Sequence, residues 1–175
     1  MPSISVIMPY WNRPGALVRT LTSFSKVYKG LGQSLEVVVV DDGSEQSASQ
    51  ALTGLSFTFG LYVHTMARKQ WMDNPCVPYN LGVKYSSGEL VVLTSPETRH
   101  EHELLPRLAQ IHGGQANRVV VGAVHCDTRN IWLSHSQHAP SQYHFLNMMS
   151  RELYEDAGGF DEEYRGGYAF DDPDF

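Results

Sequence analysis

The stretch Leu35-Glu36-Val37-Val38-Val39-Val40-Asp41-Asp42-Gly43-Ser44 decides the fold. Its valines run on without alternating with polar residues. A strand with one wet face would alternate, so this β-branched run reads as a strand covered on both faces, in a parallel sheet between helices. The run stops at two adjacent carboxylates, and Asp41-Asp42-Gly43-Ser44 has two readings on its own. One is a turn with a helix cap, since Asp-Gly is an ordinary turn pair. The other is a ligand clamp, with one Asp accepting from a base or ribose and the other near phosphate or metal. Carboxylates at the end of a buried strand are costly unless something binds them.

Upstream, Ile4-Ser5-Val6-Ile7-Met8-Pro9 reads as a buried strand stopped by proline. Pro14 suits a first helical turn, and Leu17, Leu21, Phe24 and Tyr28 follow at helical spacing to about Gly30. Downstream, the pattern predicts a helix over Ser47–Leu55, a strand over Phe57–His64, a polar loop over Thr65–Cys76 and a short helix over Val77–Tyr85. A strand over Glu89–Leu93 then ends in Thr94-Ser95-Pro96-Glu97. Leu104, Leu105, Leu108 and Ile111 mark a helix. Strands are predicted over Arg118–Val124 and Ile131–Leu133. Ser150 is a good N-cap for a helix ending at Gly158-Gly159. Strand–helix alternation of this kind predicts an α/β fold with a largely parallel sheet. Ligands bind such sheets beyond the carboxyl ends of the strands, near a switch in strand order. Trp11-Asn12-Arg13, Asp41-Asp42-Gly43-Ser44 and Ser95-Pro96-Glu97 all fall at such ends. No repeat or linker interrupts the pattern, so a single domain over residues 1–175 is expected.

Composition narrows the function classes. The chain is 42% hydrophobic and 18% charged, which is ordinary for a globular domain. Its formal charge of −6 argues against long-range attraction to nucleic acid, so an anionic ligand needs a local cradle of N–H groups, Arg or a cation. The two cysteines, Cys76 and Cys126, form neither a disulfide framework nor a Cys-x-x-Cys pair, and the N-terminus lacks signal-peptide character. A cytoplasmic protein without a transmembrane segment is the expectation. The eight histidines show no zinc spacing, although His144 would suit an acceptor pocket.

The C-terminal stretch Gly158-Gly159-Phe160-Asp161-Glu162-Glu163-Tyr164, then Gly167-Tyr168-Ala169-Phe170-Asp171-Asp172-Pro173-Asp174-Phe175, interleaves acids with aromatics. Clustered carboxylates usually mean a solvated segment. So many aromatics instead predict packing on the domain, which would hold Asp171 and Asp172 in place. A carboxylate held near another negative group can have a raised pKa and act as a general base.

Five stretches together resemble the family-2 glycosyltransferases, inverting enzymes of the GT-A fold, over nearly the whole chain. They are Val6–Arg13, Val38–Ser44, Asn80-Leu81-Gly82 with Ser87–Leu93, Gly158–Glu162 and Phe170-Asp171-Asp172. The resemblance implies a nucleotide-sugar donor, most often UDP-linked, and a hydroxyl acceptor on a saccharide, lipid-linked group or protein. Pro9, Tyr10, Asn12 and Arg13 would line the nucleotide pocket. Asp41 would face the base, Asp42 and Ser44 the ribose and phosphates, and Asn80 and Ser95 would border the same site. Asp172 would deprotonate the acceptor, with Asp171 holding the acceptor or supporting Asp172.

Three departures from the family pattern stand out. The family's metal-binding Asp-x-Asp aligns with Ser95-Pro96-Glu97, which leaves Glu97 as the Mn²⁺ or Mg²⁺ ligand and Ser95 as a weaker partner. Alternatively, this stretch is only a turn. Tyr79 stands where many relatives have Arg; Arg68 or Lys69 could supply positive charge instead, or be solvated surface residues. The family pattern also continues past the position of Phe175; a trimmed chain, a fragment or a minimal enzyme would each explain that. Two other classes compete with an active transferase: a non-catalytic nucleotide-sugar-binding domain, and a nucleotidyltransferase. The latter would want a glycine-rich basic loop after the first strand, which is missing here.

Overall fold

The valine run is strand β2 (Leu35–Asp41) of a six-stranded sheet. The structure is a computed structural model that describes residues 3–67, 74–134 and 145–166. In chain order the other strands of this sheet are β1 (Ile4–Tyr10), β3 (Gly60–Thr65), β4 (Leu90–Thr94), β5 (Val120–Val121) and β8 (Leu146–Ser150), the last following the small hairpin β6–β7 (Val124–Cys126, Ile131–Leu133). The spatial order is β3-β2-β1-β4-β8-β5. Pairs β1–β2, β2–β3 and β1–β4 are parallel, and β8 runs antiparallel to both β4 and β5. The chain winds outward from β1 through β2 to β3, then returns to place β4 on the other side of β1. The switch in strand order therefore lies between β1 and β4, beyond their carboxyl ends.

Both faces of β2 are covered, which is why its valines do not alternate. Val37 and Val39 point into a core formed with Leu17, Leu21 and Phe24 of helix α1 (Pro14–Val27) and Leu105 of helix α4 (Leu104–His112). Val38 and Val40 point into a second core with Tyr79 and Val83 of helix α3 (Cys76–Lys84), Tyr154 of helix α5 (Arg151–Asp156) and Phe160.

Several elements differ from their expected bounds. Helix α2 (Ala48–Ala51) is far shorter than 47–55, although Ser47 and Gln50 form a full capping box at its start. The expected strand over 57–64 begins only at Gly60, because Phe57 and Phe59 stack on each other with centroids 5.5 Å apart and turn toward the core. The expected strand 118–124 splits at Gly122 into β5 and β6. The Gly122 N–H donates to Leu146 O at 2.8 Å, and a side chain at 122 would run into Leu146. Strand β8 was not expected at all. Its sequence Leu-Asn-Met-Met-Ser lacks β-branched residues, and pairing on both edges rather than local propensity makes it a strand.

Candidate active site at the switch in strand order

A cavity of ≈ 210 Å³ opens between the carboxyl ends of β1 and β4. Pro9, Tyr10, Trp11 and Arg13 line it from the β1 side, and Ser95, Pro96 and Glu97 from the β4 side. Asp42, just past β2, and the start of α3 complete the wall. The location is the one the α/β rule assigns to a ligand.

The two carboxylates at the end of β2 do different things. Asp41 is fully buried, and both its oxygens are engaged by local backbone: Ser44 N–H donates to Oδ1 at 2.9 Å and Ala48 N–H to Oδ2 at 2.8 Å. It shapes the β2–α2 loop and does not line the cavity. Asp42 does line it, with 7% of its surface exposed. The turn reading of Asp-Asp-Gly-Ser is thus realised at Asp41, while Asp42 is the carboxylate placed in the cavity wall.

The β1 exit is fastened to the same loop. Asn12 sits at φ 48, a left-handed conformation that Asn tolerates better than most residues. Its N–H donates to Ser44 Oγ and its Oδ1 accepts from Glu45 N–H, both at 2.9 Å. Asn12 and Ser44 therefore hold two loops together behind the cavity. Tyr10 donates its OH to Gln46 O at 2.8 Å, and burial, reinforced by the Asp41 charge, raises its phenol pKa.

At the β4 exit, Ser95-Pro96-Glu97 is a braced turn. Thr98 N–H donates to Ser95 O at 3.1 Å, Ser95 Oγ and Thr98 Oγ1 are 3.1 Å apart, and Thr20 of α1 donates to Pro96 O at 2.6 Å. Glu97 reaches across the mouth, its Oε1 3.1 Å from Arg13 Nε. Among the described residues no group of three or more His, Cys, Asp or Glu is disposed to hold a metal. The donors present suit a cation that keeps several waters and arrives with a diphosphate, a mode that needs only one or two protein carboxylates. They do not form a protein cage.

Asn80 stands apart from the cavity. Its Oδ1 accepts from Tyr154 OH at 2.7 Å and Phe160 N–H at 2.9 Å, and its Nδ2 donates to Phe160 O at 2.9 Å and Glu162 Oε1 at 3.0 Å. Those four bonds fill the hydrogen-bonding capacity of an amide. Asn80 ties α3 to the Gly-Gly-Phe-Asp-Glu segment. Asp171, Asp172, Arg68, Lys69 and His144 lie outside the described residues.

The approach to α3 and its first residues form a wall of which sequence reading singled out only Tyr79. Asn74, Pro75, Pro78 and Tyr79 face the cavity. Asn74 Oδ1 accepts from Cys76 N–H at 2.9 Å, and Tyr79 OH donates to Thr94 O at 3.2 Å while its ring stacks on Phe160. The Asn-Pro pair is a turn and helix-start signal that could have marked this wall.

This sheet, with its cavity at the strand-order switch, has the GT-A glycosyltransferase fold. Crystallised TarS of S. aureus superposes with a TM-score of 0.77 at 21% identity, covering 97% of this chain and 52% of that one. A mannosyltransferase from Pyrobaculum calidifontis, solved with GDP-Man and Mn²⁺, superposes with a TM-score of 0.65 at 22% identity, covering 98% and 50%. Residues 5–166 match the model of glycosyl transferase family 2, and the chain belongs to that family. A curated relative, undecaprenyl-phosphate 4-deoxy-4-formamido-L-arabinose transferase of Serratia proteamaculans, is 25% identical over 134 residues, which is 76% of this chain and 40% of the relative. Its counterpart in Pseudomonas paraeruginosa is 25% identical over 108 residues, or 61% and 31%. The chain thus spans less than half the length of these curated relatives. No helix among the described residues is long and apolar enough to cross a membrane.

Proposed function

We propose that this chain is the donor-binding and catalytic domain of an inverting glycosyltransferase that takes a nucleotide-sugar, UDP-linked by preference, and passes the sugar to an acceptor hydroxyl. The observation that carries the reading is the cavity at the β1–β4 switch, with Arg13 and Glu97 facing each other across its mouth and Asp42 in its wall. Asp42 would accept hydrogen bonds from ribose hydroxyls, within a loop that Asp41, Asn12 and Ser44 keep in shape. Arg13 would pair with the diphosphate. Glu97, with Ser95 beside it, would hold a Mn²⁺ or Mg²⁺ shared with the phosphate oxygens. When bound, that cation offsets charge developing on the leaving diphosphate. Asp172 would remove the acceptor proton as the hydroxyl attacks the anomeric carbon, with Asp171 beside it; one displacement inverts that centre. Cys76 and Cys126 are thiols outside any disulfide, which is compatible with a cytoplasmic site of action.

Thermal unfolding measured across UDP-, GDP-, CDP- and dTDP-sugars, each with and without Mn²⁺, tests the donor site. A ligand at a hundred times its Kd adds about 2.7 kcal/mol of stability, so even a weak binder registers at millimolar concentration. No shift with any of the four nucleotides would sink the reading. In a turnover assay, release of free nucleoside diphosphate is expected; release of pyrophosphate would point to a nucleotidyltransferase instead. Asp172→Asn should abolish transfer while leaving the donor-induced shift in place, and surviving transfer would remove Asp172 as the base.

A further inference from the structure

A second and larger cavity, ≈ 610 Å³, adjoins the first, and Pro96 and Glu97 line both. Its walls are Arg19 and Thr20 of α1, the 97–104 loop, and the β6–β7 hairpin with His125, Asp127 and Trp132. Trp132 is 70% exposed, an unusual state for so large an apolar side chain. It is nevertheless held. His125 and Trp132 are register partners across the hairpin, their rings packing edge to face with centroids 5.2 Å apart. Asp127 Oδ1 in turn lies 3.0 Å from His125 Nδ1 and fixes that ring. The hairpin so presents an exposed, oriented indole beside hydrogen-bonding groups, at the edge of a cavity whose lining mixes polar and apolar groups. A pyranose has matching chemistry: its axial C–H bonds make an apolar face that stacks on indole, while its rim of hydroxyls needs donors and acceptors in the same plane.

We propose that this second cavity is a saccharide acceptor site, with Trp132 as its stacking platform and the Asp127-braced His125 as a hydroxyl partner. This rests on the glycosyltransferase reading, since the shared Glu97 wall is what would bring an acceptor hydroxyl next to a donor sugar. It goes further in choosing a sugar, and not a bare lipid phosphate, as the group recognised, and in naming the residues that recognise it.

Two tryptophans make the two sites separately readable, because Trp11 lines the first cavity and Trp132 the second. Indole N–H resonances of the ¹⁵N-labelled chain, assigned through Trp11→Phe and Trp132→Phe, would be followed during titration. The probes are UDP-sugars, then maltotriose, cellotriose, mannotriose and tri-N-acetylchitotriose at roughly 10 mM, where millimolar affinities are populated. The expected result is a shift of Trp132 with at least one trisaccharide, and of Trp11 with a UDP-sugar. Trp132→Ala should weaken the trisaccharide roughly tenfold or more, raise the acceptor KM with kcat little changed, and leave the melting temperature and donor KM as they were. If UDP-sugars move Trp11 but no trisaccharide moves Trp132, the acceptor assignment is wrong and the donor reading stands. If neither moves, the underlying function falls with it. A Trp132 response to detergent-solubilised undecaprenyl phosphate, with none to the trisaccharides, would overturn the choice of a sugar.

Discussion

Arg13 Nε and Glu97 Oε1 lie 3.1 Å apart, so the guanidinium suited to a diphosphate and the carboxylate suited to its counter-cation neutralise each other across the mouth of the cavity. Their side chains are 65% and 46% exposed, and exposed pairs of this kind contribute at most about 1 kcal/mol. The contact is therefore easily exchanged. On the proposed function, a cation drawing on Glu97 would free Arg13 and a diphosphate drawing on Arg13 would free Glu97, so each ligand would ease entry of the other. Glu97→Gln removes the charge and keeps the size. Calorimetric titration with UDP should then show the Mn²⁺-dependent tightening lost. In EDTA, UDP should bind as well as to the parent protein or up to about fivefold tighter, since Arg13 is already released. An unchanged Mn²⁺ effect in Glu97→Gln would mean the cation is held elsewhere.

Asp41 and Asp42 are adjacent in sequence and should fail in opposite ways. Asp41 is buried and accepts two backbone N–H groups, so Asp41→Asn turns an NH₂ toward one of them. Hydrogen bonds to a charged acceptor contribute about 1.5–3 kcal/mol each, and a loss near 2 kcal/mol in urea unfolding is expected. Asp42→Asn should lose clearly less stability than Asp41→Asn while nucleotide affinity falls roughly tenfold or more, as expected when a charged acceptor becomes a neutral amide. Equal stability losses in the two variants would contradict this division of labour.

The fold was legible because one physical cause wrote it into the chain. Burial of β2 on two faces leaves no polar position in Val37–Val40, and that alone implies helices above and below. Strand β8 was not legible, because Met148 and Met149 are strand residues by virtue of their neighbours β4 and β5 and not of their own propensity. The site was legible as a set of strand ends but not as a division of roles. Nothing in the spelling of Asp-Asp says which carboxylate faces inward, and nothing at Asn80 says that its four hydrogen bonds lead to Tyr154, Phe160 and Glu162. Those assignments depend on contacts between residues far apart in sequence.

Asn80 gives the clearest stability test. Truncation in Asn80→Ala removes four hydrogen bonds at once, those to Tyr154 OH, Phe160 N–H, Phe160 O and Glu162 Oε1. A hydrogen bond contributes about 0.5–1.5 kcal/mol net, so a total loss of about 2–4 kcal/mol is expected in denaturant melts. Gly159→Ala should reproduce part of it. Gly159 has φ +70, and an added Cβ would come within 2.7 Å of Asn80 Oδ1. Because the segment after Gly159 leads toward Asp171 and Asp172, both variants should lower kcat more than they raise the donor KM. A variant that melted like the parent would show that the hydrogen bonds are not what hold this segment.

His100 should set the acid limit of the fold. Its ring packs on Phe24 at 4.3 Å, its Nδ1 lies 2.5 Å from Tyr28 OH, and its Nε2 is buried with no hydrogen-bond partner among the described residues. Burial lowers its pKa from 6.5 to about 4, because the imidazolium would lose its hydration in this apolar setting. The unfolded chain therefore takes up this proton first as pH falls. The group leaves stability untouched above about pH 6.5, subtracts progressively as pH drops toward 4, and levels off below that, for a total of about 3 kcal/mol. His100→Gln keeps a hydrogen-bonding side chain at the position and cannot titrate. Between pH 7 and pH 4.5 its urea midpoint should fall less than that of the parent, and parallel declines would place the acid sensitivity on other groups. Because His100 pins the loop that runs on from Glu97, the parent should also lose nucleotide binding over the same interval, and the variant should keep more of it.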